Sequence, residues 1–86
     1  MASDIVIAPG IVEHPERRLG KPTIEGTRIT VEEILSKLAS DWSIDEILHA
    51  WPHLTRQQIL NAIAYAAQLV HNVAVVAPGG DSEGDA

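Results

Sequence analysis

The apolar positions of this chain follow two periods, and the change falls near residue 30. Upstream, apolar residues come in short β-branched runs broken by glycine and proline. Residues 5–7 read Ile-Val-Ile and stop at Pro9-Gly10, which predicts a short strand. Residues 14–22 carry Pro15, Gly20 and Pro22 and predict turn and irregular chain. Thr23, Ile24, Thr27, Ile29 and Val31 favour extended backbone on either side of Gly26, which predicts a short hairpin or a bulged strand.

Downstream the period becomes helical. Val31, Ile34, Leu35 and Leu38 follow the i, i+3, i+4, i+7 spacing and predict a first helix over 31–40. Ile44, Ile47, Leu48 and Trp51 predict a second over 44–51, which must stop before Pro52 because that ring clashes with the preceding turn. Ile59, Ile63, Ala66 and Val70 predict the inner face of a third over 56–71. Each start carries a capping box: Thr30 with Glu33, Ser43 with Glu46, and Thr55 with Gln58. In such a box the hydroxyl accepts from an amide one turn in, and the later side chain accepts from the cap amide. Leu54 and Ile59 hold the two positions of a hydrophobic staple. The links between helices are short, which forces neighbours to pack together, and helices two and three read as a helix-turn-helix. Residues 73–80 leave two readings open: a last helical turn, or an edge strand against residues 5–7. The Gly- and acid-rich segment after Gly79 predicts a disordered tail.

Composition narrows the function. Eighty-six residues make one domain with a small core, for which oligomers are a common remedy. The absence of cysteine excludes disulfides and thiolate metal sites and fits a reducing cytoplasm. No apolar run approaches the roughly 18 residues of a membrane span, and the first ten residues lack the basic start of a signal peptide. The net charge is −6, which argues against unspecific coating of nucleic acid. Yet four of the six basic residues, Arg17, Arg18, Lys21 and Arg28, fall within one short segment.

Candidate chemistry is sparse. His49 and His53 are four apart, but Pro52 breaks the helix between them. Glu46 and His49 lack matching ligands from other helices. The histidines therefore read as surface or helix-end residues, with no metal or cofactor expected. Glu32, Glu33, Asp45 and Glu46 sit in first helical turns, where carboxylates favour the positive end of the helix dipole. No nucleophile has an interpretable partner, so an enzyme is not expected. The third helix is more telling. Arg56, Gln57 and Asn61 lie on its outer side, and Arg, Gln and Asn make bidentate contacts to guanine and adenine edges. In a helix-turn-helix the early residues of the second helix enter the major groove. These three are the candidate DNA-reading residues, with Arg28 and Lys21 flanking them. An ordinary solvated face is the competing reading, since Arg and Gln are good helix formers. Leu60, Trp42 and the Val-Ala-Val-Val run at 73–76 are apolar groups that the bundle does not obviously bury, and Ile24 and Ile29 lie on strands that can pair across a dimer. Trp42, Leu60, Ile24 and Ile29 are the candidate partner or dimer interface.

The ordered series Gly-Lys-Pro (20–22), Gly-Thr-Arg-Ile (26–29), Ser-Ile-Asp-Glu-Ile-Leu (43–48), Pro52, Leu-Thr (54–55) and an Ala-rich helix resembles the bacterial domain-of-unknown-function family numbered 433. The likeness covers roughly residues 13–67. It implies a mainly α fold: a three-helix, homeodomain-like helix-turn-helix bundle with a short N-terminal β-hairpin or strand. On that reading 1–12 is an N-terminal strand or arm, 13–72 the helix-turn-helix domain, and 73–86 a C-terminal extension with an acidic tail. The resemblance further implies an antitoxin of a type II toxin–antitoxin pair. Such a protein forms a homodimer, masks a PIN-like ribonuclease toxin and regulates its own operon by binding operator DNA. The alternative is a protein–protein interaction module that does not bind DNA. The family's usual Gly between the first two helices is Asp41 here, a residue that tolerates a left-handed helix end.

Overall fold

Pro9 and Gly10 turn the chain back on itself. The structure, a computed structural model, describes residues 4–75. Strand β1 (Ile5–Ala8) runs antiparallel to β2 (Ile11–Glu13), with Val6 opposite Val12 and a bulge between Val6 and Ala8. Gly10 has φ of +74°, which a residue with a Cβ adopts only under strain. β2 pairs on its other side with β3 (Thr23–Ile24), setting Ile11 against Ile24 in a sheet of order β1-β2-β3. Between β2 and β3 the chain turns through Arg18–Gly20, where Arg18 and Leu19 both have positive φ.

The segment around Gly26 meets the hairpin expectation in part. Ile24 N–H donates to the Ile29 carbonyl, and Thr23 bridges Thr30. Thr27 closes the loop by donating to the Ile24 carbonyl while accepting from Ile29 N–H. The principal hairpin, however, is β1–β2. Three residues at 11–13 are too few to show a period, so that strand was not legible from the sequence.

All three capping boxes form. In α1 (Val31–Ala39) the Thr30 hydroxyl accepts from Glu33 N–H, and the Glu33 carboxylate accepts from Thr30 N–H at 2.8 Å. In α2 (Ile44–Ala50) Ser43 and Glu46 repeat the exchange. In α3 (Arg56–Val75) Thr55 and Gln58 do the same. α1 ends at Asp41, whose φ is +73°. Trp42 N–H returns to the Lys37 carbonyl and Asp41 N–H to the Leu38 carbonyl, the Schellman closure that a left-handed residue permits. α2 yields to Pro52, and residues 51–55 lead directly into α3.

The core draws on every layer. Ile11 and Ile24 from the sheet meet Val31 and Ile34 of α1, Ile47 of α2, and Leu54, Ile59 and Ala62 at the start of α3. The expectation of a mainly α bundle is therefore overturned. A three-stranded antiparallel sheet forms one wall of the core, because β2 and β3 pair through contacts distant in sequence that local periodicity cannot show. The α2–α3 pair remains compatible with a helix-turn-helix. α3 also departs from the expected bounds. It continues to Val75, so residues 73–75 are helical and the edge-strand reading fails there. Its inner face is Ile59 and Ala62, with Ile63 and Ala66 half-buried. Val70, expected inward, is exposed because α3 has outrun the body. The expected acidic tail lies outside the described residues.

Candidate functional site

The start of α3 is fixed by its capping box and by Leu54, which is buried beside Ile59. This anchoring turns Arg56 and Gln57 to solvent. Arg56 lies 3.9 Å from Asp45, and both side chains are largely exposed. A pair so exposed and so long holds little energy, so Arg56 can swing to another anion. Gln57 donates from Nε2 to Asn61 Oδ1 at 3.0 Å. Asn61 is half-buried. Its side chain lies over the β1–β2 turn, so close that a Cβ on Gly10 would stand 2.5 Å from its Nδ2. Of the three expected base readers, Arg56 and Gln57 are exposed, Gln57 within a bond to Asn61, and Asn61 is half-buried against the β1–β2 turn.

Arg28 lies elsewhere than its neighbours. With Arg17, Thr27, Ile29, Trp51 and His53 it lines an open cleft of about 570 Å³ at the corner where α2 turns into α3. Other cations are matched within the chain. Arg17 lies 3.6 Å from Asp4, Arg18 is 3.0 Å from Glu33, and Lys21 is 2.9 Å from Glu32. Lys37 stands 4.5 Å over the Trp42 ring. Among the described residues Arg28 has no carboxylate partner. Lys21 is not brought to this cleft. It tethers the turn to α1 instead, beside Pro22 and Leu35.

Among the described residues Glu33 is the carboxyl shifted from its ordinary value. Burial pushes its pKa up, but the Thr30 amide, the Thr30 hydroxyl and the Arg18 guanidinium together outweigh this and hold it below the ordinary 4.5. The group is a capping carboxylate, already engaged by the fold.

The expected interface residues divide. Ile24 is 1% exposed, inside the chain's own core, and has no surface to offer a second copy. Ile29 and Trp42 are half-buried against that core. Leu60 is 41% exposed, beside Arg56 and Gln57 in the early turns of α3. One apolar feature escaped sequence reading, and a second was read only in part, at Val73. Leu19 is 92% exposed at φ of +57°, in a segment read only as turn. Leu69, Val70 and Val73 lie open along the far half of α3; their helical spacing was visible, but the end of the body was not. Among the described residues no three His, Cys, Asp or Glu side chains gather closely enough to hold a metal, and no helix is long and apolar enough to cross a membrane.

A family model described as "Protein of unknown function (DUF433)" matches residues 11–66. A protein of Sinorhizobium fredii (strain NBRC 101917 / NGR234), "Uncharacterized protein y4eO", is 34% identical over 64 residues. The similarity covers 73% of this chain and 29% of that protein, so the chain spans under a third of its relative's length. No solved structure matches the chain at a significant level.

Proposed function

We propose that this chain, which belongs to the DUF433 family, is an antitoxin-like, non-catalytic protein that uses α2 and α3 as a helix-turn-helix on operator DNA and holds a PIN-like toxin. The observation that carries the DNA part is the cationic corner. Arg28, Arg17 and His53 collect around the turn that leads into α3, three residues before the solvent-facing Arg56. Phosphate contacts position a protein on a duplex, and base contacts specify the sequence. Arg28 suits the first task, joined by His53 and by Arg17 on release from Asp4, and Arg56 with Gln57 suit the second. Asn61 has no part in this reading, since Gly10 and Gln57 occupy it. The toxin partner rests on the family resemblance, and both partners would place the protein in the cytoplasm.

Titration of an operator fragment from the chain's own promoter tests the reading. Arg56→Ala should cost about 1–3 kcal/mol and relax preference at one base position. Arg28→Ala should weaken binding evenly across sequences and lower the salt slope by about one. Equal affinity of both variants and the parent would sink the assignment. A second reading, a protein-interaction module without DNA binding, is favoured by the net charge of −6. Absence of DNA binding even at low salt would select it.

A further inference from the structure

The face of α3 that is buried at Ile59 and Ala62 does not end with the body. It continues through Ala66 to Leu69, Val70 and Val73, which are 48%, 68% and 69% exposed. Residues 59, 62, 66, 69 and 73 alternate steps of three and four, the a/d spacing of a helix that packs along its length against another helix. In the first half the partner is the chain's own core. In the second half nothing among the described residues covers the seam.

The chemistry of the stretch selects what could cover it. From Gln57 to Val75 α3 has no Asp, Glu, Lys or Arg, in a chain whose net charge is −6. Over most other surfaces two copies would bring carboxylates together. Along α3 itself they meet without like-charge repulsion, with Glu13 on one side and the ion-paired Lys21 and Glu32 on the other, and each supplies the uncharged apolar helix surface the other requires. Shape agrees with charge. Leu69 and Tyr65 form a ridge between two clefts. One, about 580 Å³, lies against β1 and includes Ile7 and Ala8. The other, about 410 Å³, lies against α1 and includes Val31 and Leu35. A ridge of apolar side chains flanked by grooves, each with an apolar wall and a polar one (Glu13, Gln68 and Asn72 in the first, Lys21 and Glu32 in the second), suits a two-fold pairing of helices, since each ridge enters the other's groove.

We propose that the far half of α3 is the surface on which two copies of this chain pair, antiparallel, with Leu69 and Val73 of each buried against the other. This places the dimer contact on residues 66–73 rather than on Ile24, and leaves both cationic corners open. The inference does not depend on DNA binding, so it stands or falls without it.

Light scattering on the full chain at tens of micromolar is expected to give twice the chain mass of 9.3 kDa. L69E/V73E is expected to be monomeric with unchanged helical circular dichroism, whereas L19E remains dimeric. Because the chain has no cysteine, single cysteines provide a second measurement that does not burden folding. Val73→Cys should cross-link copies through a short bis-maleimide, and Leu19→Cys should not. A monomeric parent would overturn the proposal and leave the face to another protein. A dimer that survives L69E/V73E, or equal cross-linking at both positions, would overturn it as well.

Discussion

At Asp41 and Leu19 the backbone occupies the left-handed region without glycine, and at Gly10 with it. Among the described glycines only Gly10 combines positive φ with a close approach, and Asn61 is the neighbour. Gly10→Ala should destabilise the protein by roughly 1–3 kcal/mol, from backbone strain together with the displaced Asn61 amide. Adding Asn61→Ala should recover only the part due to displacement, and urea unfolding of the single and double variants separates the two. Glu33 makes a different residue-scale prediction. Its folded pKa lies below 4.5, so its carboxylate adds stability above that pH and loses it as the pH falls through the folded value. Glu33→Gln keeps an oxygen for Thr30 N–H but removes the charge. The stability gap between parent and variant should be largest above pH 4.5 and close below it, as followed by thermal unfolding across acid pH.

The helices show how one motif has unequal weight in different settings. Thr30 and Ser43 make the same cap, but Thr30 is buried alongside β3 and bridges Thr23, whereas Ser43 is exposed. Thr30→Ala should cost about 1–2 kcal/mol and Ser43→Ala about 0.5–1 kcal/mol. A shift of the denaturation midpoint that is equal for both would contradict this ordering. α3 is likewise two elements in energetic terms. Its first half is held by Leu54, Ile59 and Ala62, and its far half projects with an open seam.

For the whole molecule the consequence is a small core supplemented from outside. The core spans sheet and helices, but an 86-residue chain buries a modest share of its surface. If pairing through α3 covers the open seam, mass action couples stability to concentration, and the melting temperature should rise with protein concentration in the parent but not in L69E/V73E.

Much of the helical half was legible before any coordinates. Three capping boxes, Pro52 and the i, i+3, i+4 spacing are interactions between residues a turn apart, and they place α1, α2 and the start of α3 within a residue or so of where they lie. The left-handed end at Asp41 belongs with them, because its hydrogen bonds return to the same helix. The sheet was not legible to the same degree. β2 is three residues long; it meets β1 across the Pro9-Gly10 turn, but its pairing with β3 sets Ile11 against Ile24, a contact far apart in the chain. The site divides along the same line. Arg56 and Gln57 were readable because the facing of a helical residue follows from its position on the helix. Asn61 on Gly10, Ile24 in the core, Arg28 beside His53, and the point where α3 leaves the body depend on how separate elements meet, and that is settled only by their packing.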